Sequence, residues 1–262
     1  MLFGLMLLVA LPAYSTSPRI VIENTDPELH AFAQDAASLC QQWYPRINEI
    51  LFGANPPKPL EEIRIIFADT GNLSGRAEAN TMYLSSAEAK RPSKLDFRAV
   101  VIHELAHIVQ GYQEDARCDG LRIFGCWAKG SYYSPLWIKE GIADYIAYTY
   151  FTKTNRPYLQ INSKGELFGY DESMPFLYNL QTTRVASKPQ TPAGKGYMHG
   201  YAVAASFLYW IEKFKDPDVI RKANIALRNK TYTDRFWKQH TKTSLDKLWA
   251  EFVTASVAAS AK

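Results

Sequence analysis

Five residues near the middle of the chain, His103-Glu104-Leu105-Ala106-His107, have the types and spacing for metal chemistry. Two histidines four apart on a helix project from one face. That spacing suits two ligands of one tetrahedral zinc ion, with Glu104 beside the metal to act on a water. Five residues make a short motif, and an ordinary helix with two partly exposed histidines reads the same. The surroundings weigh against that alternative. The histidines interrupt an apolar stretch, VVIHELAHIV, where unpartnered rings would be costly to bury.

A catalytic zinc keeps three protein ligands and one open position. The metzincin pattern needs a glycine three residues after His107 and a histidine three beyond that. The chain has Gln110 and Gln113 there, which excludes that class. Downstream lies WIKEGIADY, with Glu140 and Asp144 at i and i+4 and so on one helix face. In the gluzincin arrangement the glutamate is the third ligand, and the aspartate accepts the N–H of a ligating histidine, fixing its tautomer. A solvated helix face is the competing reading. Gly141 and Ala143 are small residues that let a second helix approach, which favours packing. A donor for a developing oxyanion is also needed. Tyr197, His199 and Tyr201 in GYMHGYAVA are the candidates, although with sixteen tyrosines in the chain a structural tyrosine fits as well.

The elements that must position these residues follow from periodicity. Arg19–Glu23 is a β-branched run, and Pro27 to about Gly53 has helical spacing. After the breaker Asn55-Pro-Pro-Lys-Pro, Ile63–Ala68 reads as a buried strand. A loop from Gly71 to Asn80 leads to a second strand, Thr81–Ser85, expected as a sheet edge able to pair with an extended substrate. Ser93 is a helix N-cap, and residues 94–113 are helical, with Leu95, Ala99, Ile102, Ala106 and Val109 on one apolar face. A second helix runs from about Pro135 to Phe151. Residues 154–196 form an irregular connection, and helices near 197–213, 216–228, 232–239 and 243–257 complete the chain. Phe207, Tyr209, Trp210, Phe236, Trp237, Trp249 and Phe252 recur at helical spacing and are expected as core. Strands first and helices later predict an α+β fold.

The 262 residues carry 30 Lys and Arg against 26 Asp and Glu. This surplus of four is spread along the chain with no basic stripe, so nucleic acid is not an expected partner. Residues 1–17 (MLFGLMLLVALP, then small residues) read as a signal peptide, too short to span a bilayer. The expected destination is secreted or periplasmic, with no membrane anchor after cleavage. Cys118 and Cys126 could close a short disulfide loop, leaving Cys40 unpaired on a helix.

The segments HELAHIVQGYQ, WIKEGIADY, GYAVAASFLYWIEKF and TSLDKLWAEFV, in this order and spacing, resemble the basic secretory protein family of metallopeptidases. The resemblance spans roughly residues 60–257. It implies a thermolysin-like zincin core, a small mixed N-terminal sheet packed on the metal-binding helix, and a helical C-terminal lobe. The insert between Gln113 and Leu136 is longer than the family pattern. The domain expectation is one metallopeptidase domain, 18–262, divided at 153 and 196. The implied site is one Zn2+ held by His103, His107 and Glu140, with Asp144 behind His103, Glu104 as general base and Tyr201 as oxyanion donor. A peptide or protein is the expected substrate. The same metal chemistry would serve a hydrolase of non-peptide amides or esters. A secreted defence or binding protein that retains the metal is the alternative from outside enzymology.

Overall fold

Apolar residues at helical spacing in the first long segment, among them Ala36, Leu39, Cys40, Trp43, Ile47 and Leu51, are all buried, and they draw α1 (His30–Phe52) along the inner face of a sheet. Gly53, at φ +61°, ends the helix. The computed structural model describes residues 17–23, 26–71, 73–90, 97–112, 134–161, 166–168, 178–179, 184–185, 195–233 and 235–261. The expected signal peptide, Ser93, Leu95, Gln113 and the Cys118–Cys126 pair lie outside them, apart from residue 17. Cys40 is buried and free.

The sheet has four strands: β1 (Arg19–Glu23), β2 (Glu62–Ala68), β3 (Gly75–Glu78) and β4 (Thr81–Ser85), in the order β1-β2-β4-β3. The first two pairings are parallel and β3–β4 is antiparallel. Ile63, Ile65, Met82 and Leu84 are fully buried beneath α1 and α3 (Phe97–Gln110). Two expectations are corrected here. Thr81–Ser85 is an interior strand, and the segment read as a loop before it contains the edge strand β3. Gly, Arg, Ala and Glu have weak strand preference, so pairing with β4 rather than local propensity holds β3.

A short helix α2 (Ser86–Ala89) follows, then α3. α4 (Leu136–Tyr145) lies beside α3 and continues into a π-helical turn, Ile146–Phe151, where the Thr152 N–H reaches the Ala147 carbonyl at 3.0 Å. Buried Asn155 ties this turn to the next helix: its amide donates to Thr149 Oγ1 and accepts from Ser206 Oγ.

Within the span expected to be irregular, the described residues carry four short antiparallel strands: β5 (Gln160–Ile161), β6 (Glu166–Phe168), β7 (Tyr178–Asn179) and β8 (Arg184–Val185). Strands of two or three residues are too short for alternation to register in a sequence.

The C-terminal part is helical: α5 (Tyr201–Phe214), α6 (Val219–Arg228), α7 (Phe236–Thr241) and α8 (Leu245–Ser260). Its core is aromatic, as expected. Phe207, Trp237, Trp249 and Phe252 are almost wholly buried, with Phe207 edge-on to Trp249 at 5.2 Å. The chain is therefore a mixed α+β fold, a small sheet followed by helices. No helix among the described residues is long and apolar enough to cross a membrane.

Candidate metal centre

The helix α3 is buried nearly all round rather than on one face. Ala99, Ile102, Ala106 and Val109 are inside as predicted, but so are Val100, Val101, Leu105 and Ile108. Its C-terminus is fixed by Gly111 at φ +53° and by Arg228 of α6, which donates to the carbonyls of Val109 (3.1 Å) and Gln110 (2.9 Å). A guanidinium at a helix C-terminus satisfies orphan carbonyls and complements the dipole. α4 is held from its other side, where a Cβ on Gly141 would lie 2.7 Å from Ala204 Cβ of α5. The small residue at 141 thus serves helix approach, as its sequence context implied.

Between α3 and α4 three ligating atoms converge. Nε2 of His103 and Nε2 of His107 are 3.0 Å apart, and each is 3.2 Å from Oε2 of Glu140. Donors held at 2.0–2.1 Å by a tetrahedral ion sit about 3.3 Å from one another, so the triangle fits that ion with little adjustment. The set is two imidazoles and a carboxylate, a group that could hold a metal ion.

The far side of each ring is satisfied. Nδ1 of His103 lies 2.6 Å from Oδ1 of Asp144, and Nδ1 of His107 lies 2.8 Å from Oε1 of Gln110. A carboxylate and an amide oxygen only accept, so both Nδ1 atoms carry hydrogen and, when the rings are neutral, both Nε2 lone pairs face the cluster. Three acceptors then point at one another, an arrangement that calls for positive charge. The electrostatics agree. Burial opposes a charged His103, but Asp144 and Glu140 outweigh it and hold its pKa well above the ordinary value. Burial likewise opposes ionised Glu140, yet His107 and His103 keep its carboxyl far below the usual range.

Glu104 sits one residue along α3, 5% exposed, and burial raises its pKa against the pull of the two histidines. The edge strand touches it directly: a Cβ on Gly75 would fall 2.9 Å from Glu104 Cγ and 3.0 Å from its Oε1. Glycine at 75 is what lets the strand backbone lie against this carboxyl.

Of the three oxyanion candidates, Tyr201 is at the cluster. Its ring lies within 17° of parallel to His103 with centroids 6.3 Å apart. Burial, with smaller contributions from Glu140, Asp144 and Glu104, raises its pKa and keeps the phenol protonated. Gly200, at φ +78°, approaches Trp137 and Glu140 and delivers Tyr201 to this place. Tyr201 itself adopts φ +46°, a strained conformation for an aromatic residue and one that collects at functional sites. Tyr197 lies elsewhere: its hydroxyl donates to Asp246 and its ring packs on Trp137 and Trp249. The His199 side chain lies outside the described ones.

Residues 179–252 match a family model described as BSP, basic secretory protein, a peptidase of plants and bacteria. Over this stretch the chain is similar to the basic secretory protein family. The match covers Tyr201, α5 to α7 and half of α8, and begins downstream of His103, His107 and Glu140. No curated protein matches the chain. That family is described as one of peptidases.

Three residues at the site carried no signal in the sequence reading. Gln110 entered it only as a departure from the metzincin pattern, Gly75 only within the loop from Gly71 to Asn80, and Gly200 only within GYMHGYAVA. Their contacts come from segments distant in sequence.

Proposed function

We propose that the protein is an exported zinc-dependent peptidase with a thermolysin-like core, in which His103, His107 and Glu140 hold one zinc ion. The observation that carries this reading is the 3.0–3.2 Å triangle of Nε2, Nε2 and Oε2, with a hydrogen-bond acceptor behind each imidazole. When bound, zinc supplies Lewis acidity toward the scissile carbonyl and a water. Glu104 takes the proton of the attacking water and passes it to the leaving amine. Its raised pKa brings it nearer to working pH, where a general base is most effective. Protonated Tyr201 donates to the developing oxyanion. Asp144 holds the His103 tautomer. The outer edge of β3, running past Glu104, offers backbone groups to an extended peptide, which would lie beside the base by strand addition. The mixed sheet under α3 and the intact, buried Glu104 support an enzyme over a metal-bearing binding protein.

The test combines metal content of the purified chain with hydrolysis of quenched-fluorescent peptides, before and after a chelator. About one zinc per chain and chelator-sensitive cleavage restored by zinc are expected. Cleavage untouched by complete metal removal overturns the reading. A panel of simple esters separates peptide cleavage from the ester and amide alternative.

A further inference from the structure

We infer that Gln110 is a positioning residue for the metal site, whose single amide chooses the His107 nitrogen that faces the cluster and anchors α4 next to Glu140. This rests on the metal-site reading above. The Gln110 side chain is 1% exposed and both of its polar atoms are engaged. Its Nε2 donates to the Lys139 carbonyl at 3.0 Å. A carbonyl only accepts, so the orientation of the amide is decided there, and Oε1 must face His107. Oε1 also only accepts, which leaves the hydrogen on His107 Nδ1 and the lone pair on Nε2. The tautomer of His107 is therefore set by a backbone carbonyl of a different helix, through one side chain.

The same amide sets a distance. Lys139 immediately precedes Glu140, so sliding α4 along α3 would break the Nε2 bond as it moved the third ligand. The Gln110 backbone is fixed independently, because Arg228 holds its carbonyl at 2.9 Å. The choice of a neutral amide also matters for charge. Asp144 already stands behind His103, Glu140 is a ligand and Glu104 lies beside them, so three carboxylates surround the site. A fourth behind His107 would add further negative charge.

Zinc titration of the full-length protein against a chromophoric chelator tests this, with Gln110→Met and Gln110→Glu beside the parent. Methionine fills the same buried space and removes both hydrogen bonds. Its zinc affinity should fall by about 10- to 100-fold, while the circular dichroism of the metal-free form stays that of the parent. Glutamate restores an acceptor for Nδ1 and should bind zinc more tightly than the methionine variant. A methionine variant within about threefold of the parent overturns the inference.

A second measurement needs no variant. In the zinc-loaded parent, 15N shifts of His107 should show a protonated Nδ1 and a zinc-bound Nε2, and the reverse overturns the inference. A parent that binds no zinc removes the metal-site reading and this inference with it. A parent that binds zinc beside an equally competent methionine variant removes this inference alone.

Discussion

Two polar clusters lie on consecutive residues of α4, one buried and one half-buried, and they solve the same problem in opposite ways. At Tyr145 the hydroxyl donates to Glu212 Oε2 at 2.6 Å and stands 3.1 Å from the Tyr150 hydroxyl. Burial raises the pKa of both Tyr145 and Glu212. There the donor and the acceptor meet within the protein. At Asp144 the Nδ1 donors point outward, toward Asp144 and Gln110, and with both rings neutral three acceptors face one another and call for a cation, a proton or a metal ion. Burying polar groups is costly in both places, but only the second cluster needs something from solution. Burial and shifted ionisation mark both. Convergence of acceptors marks the site.

The comparison breaks most sharply if the ligand cluster is dispensable. Glu140→Ala should abolish stoichiometric zinc and all peptidase activity, read by metal analysis and a fluorogenic peptide. Zinc retained by that variant removes the distinction between the clusters. Next in size, Glu104→Gln should lower kcat/KM by about 10²- to 10⁴-fold with zinc still bound. Equal loss of metal would place Glu104 in the ligand set instead. Gly75→Ala forces a Cβ against Glu104 and should lower kcat by about 10- to 100-fold, with zinc affinity unchanged, because the atoms nearest the added Cβ belong to Glu104 and Val100.

The Tyr145 cluster should respond in stability alone. Tyr145→Phe leaves the Glu212 carboxyl without this donor and should cost about 1–3 kcal/mol in urea unfolding, with zinc affinity as in the parent. The smallest effect concerns pH. Because the folded pKa of Glu212 is raised, its contribution is fully present below the ordinary value of 4.5 and is lost as pH rises through the raised value. Stability of Glu212→Gln should lack that decline. An identical pH profile in both proteins shows that Glu212 ionises freely in the fold.

Much of the ligand cluster is legible in the sequence, and the reason is periodicity. His103 and His107, like Glu140 and Asp144, are pairs at i and i+4, so a helix puts each pair on one face without knowledge of the rest of the molecule. The aromatic core of α5 and α8 follows from the same spacing, and β2 and β4 from their apolar content. The strand β3 was missed because GRAE has no strand signal. Calling β4 an edge was the consequence, since a strand's place in a sheet depends on its partners. Gln110 was read for the histidine it is not, while its contact with Lys139 spans 29 residues.

The sequence by itself determined the donor types, their helical pairing, the exclusion of the metzincin class and the α+β order of elements. These are local properties, set by residue identity and by the 3.6-residue turn. Only the tertiary structure decided that the two pairs face each other at 3.0–3.2 Å. It alone set Gly75 against Glu104, placed Tyr201 beside His103 and Tyr197 against Asp246, and put an amide behind His107. Each of these is a meeting of elements far apart in the chain. Such meetings are set by how helices and strands pack, and spacing within any one of them is silent on it.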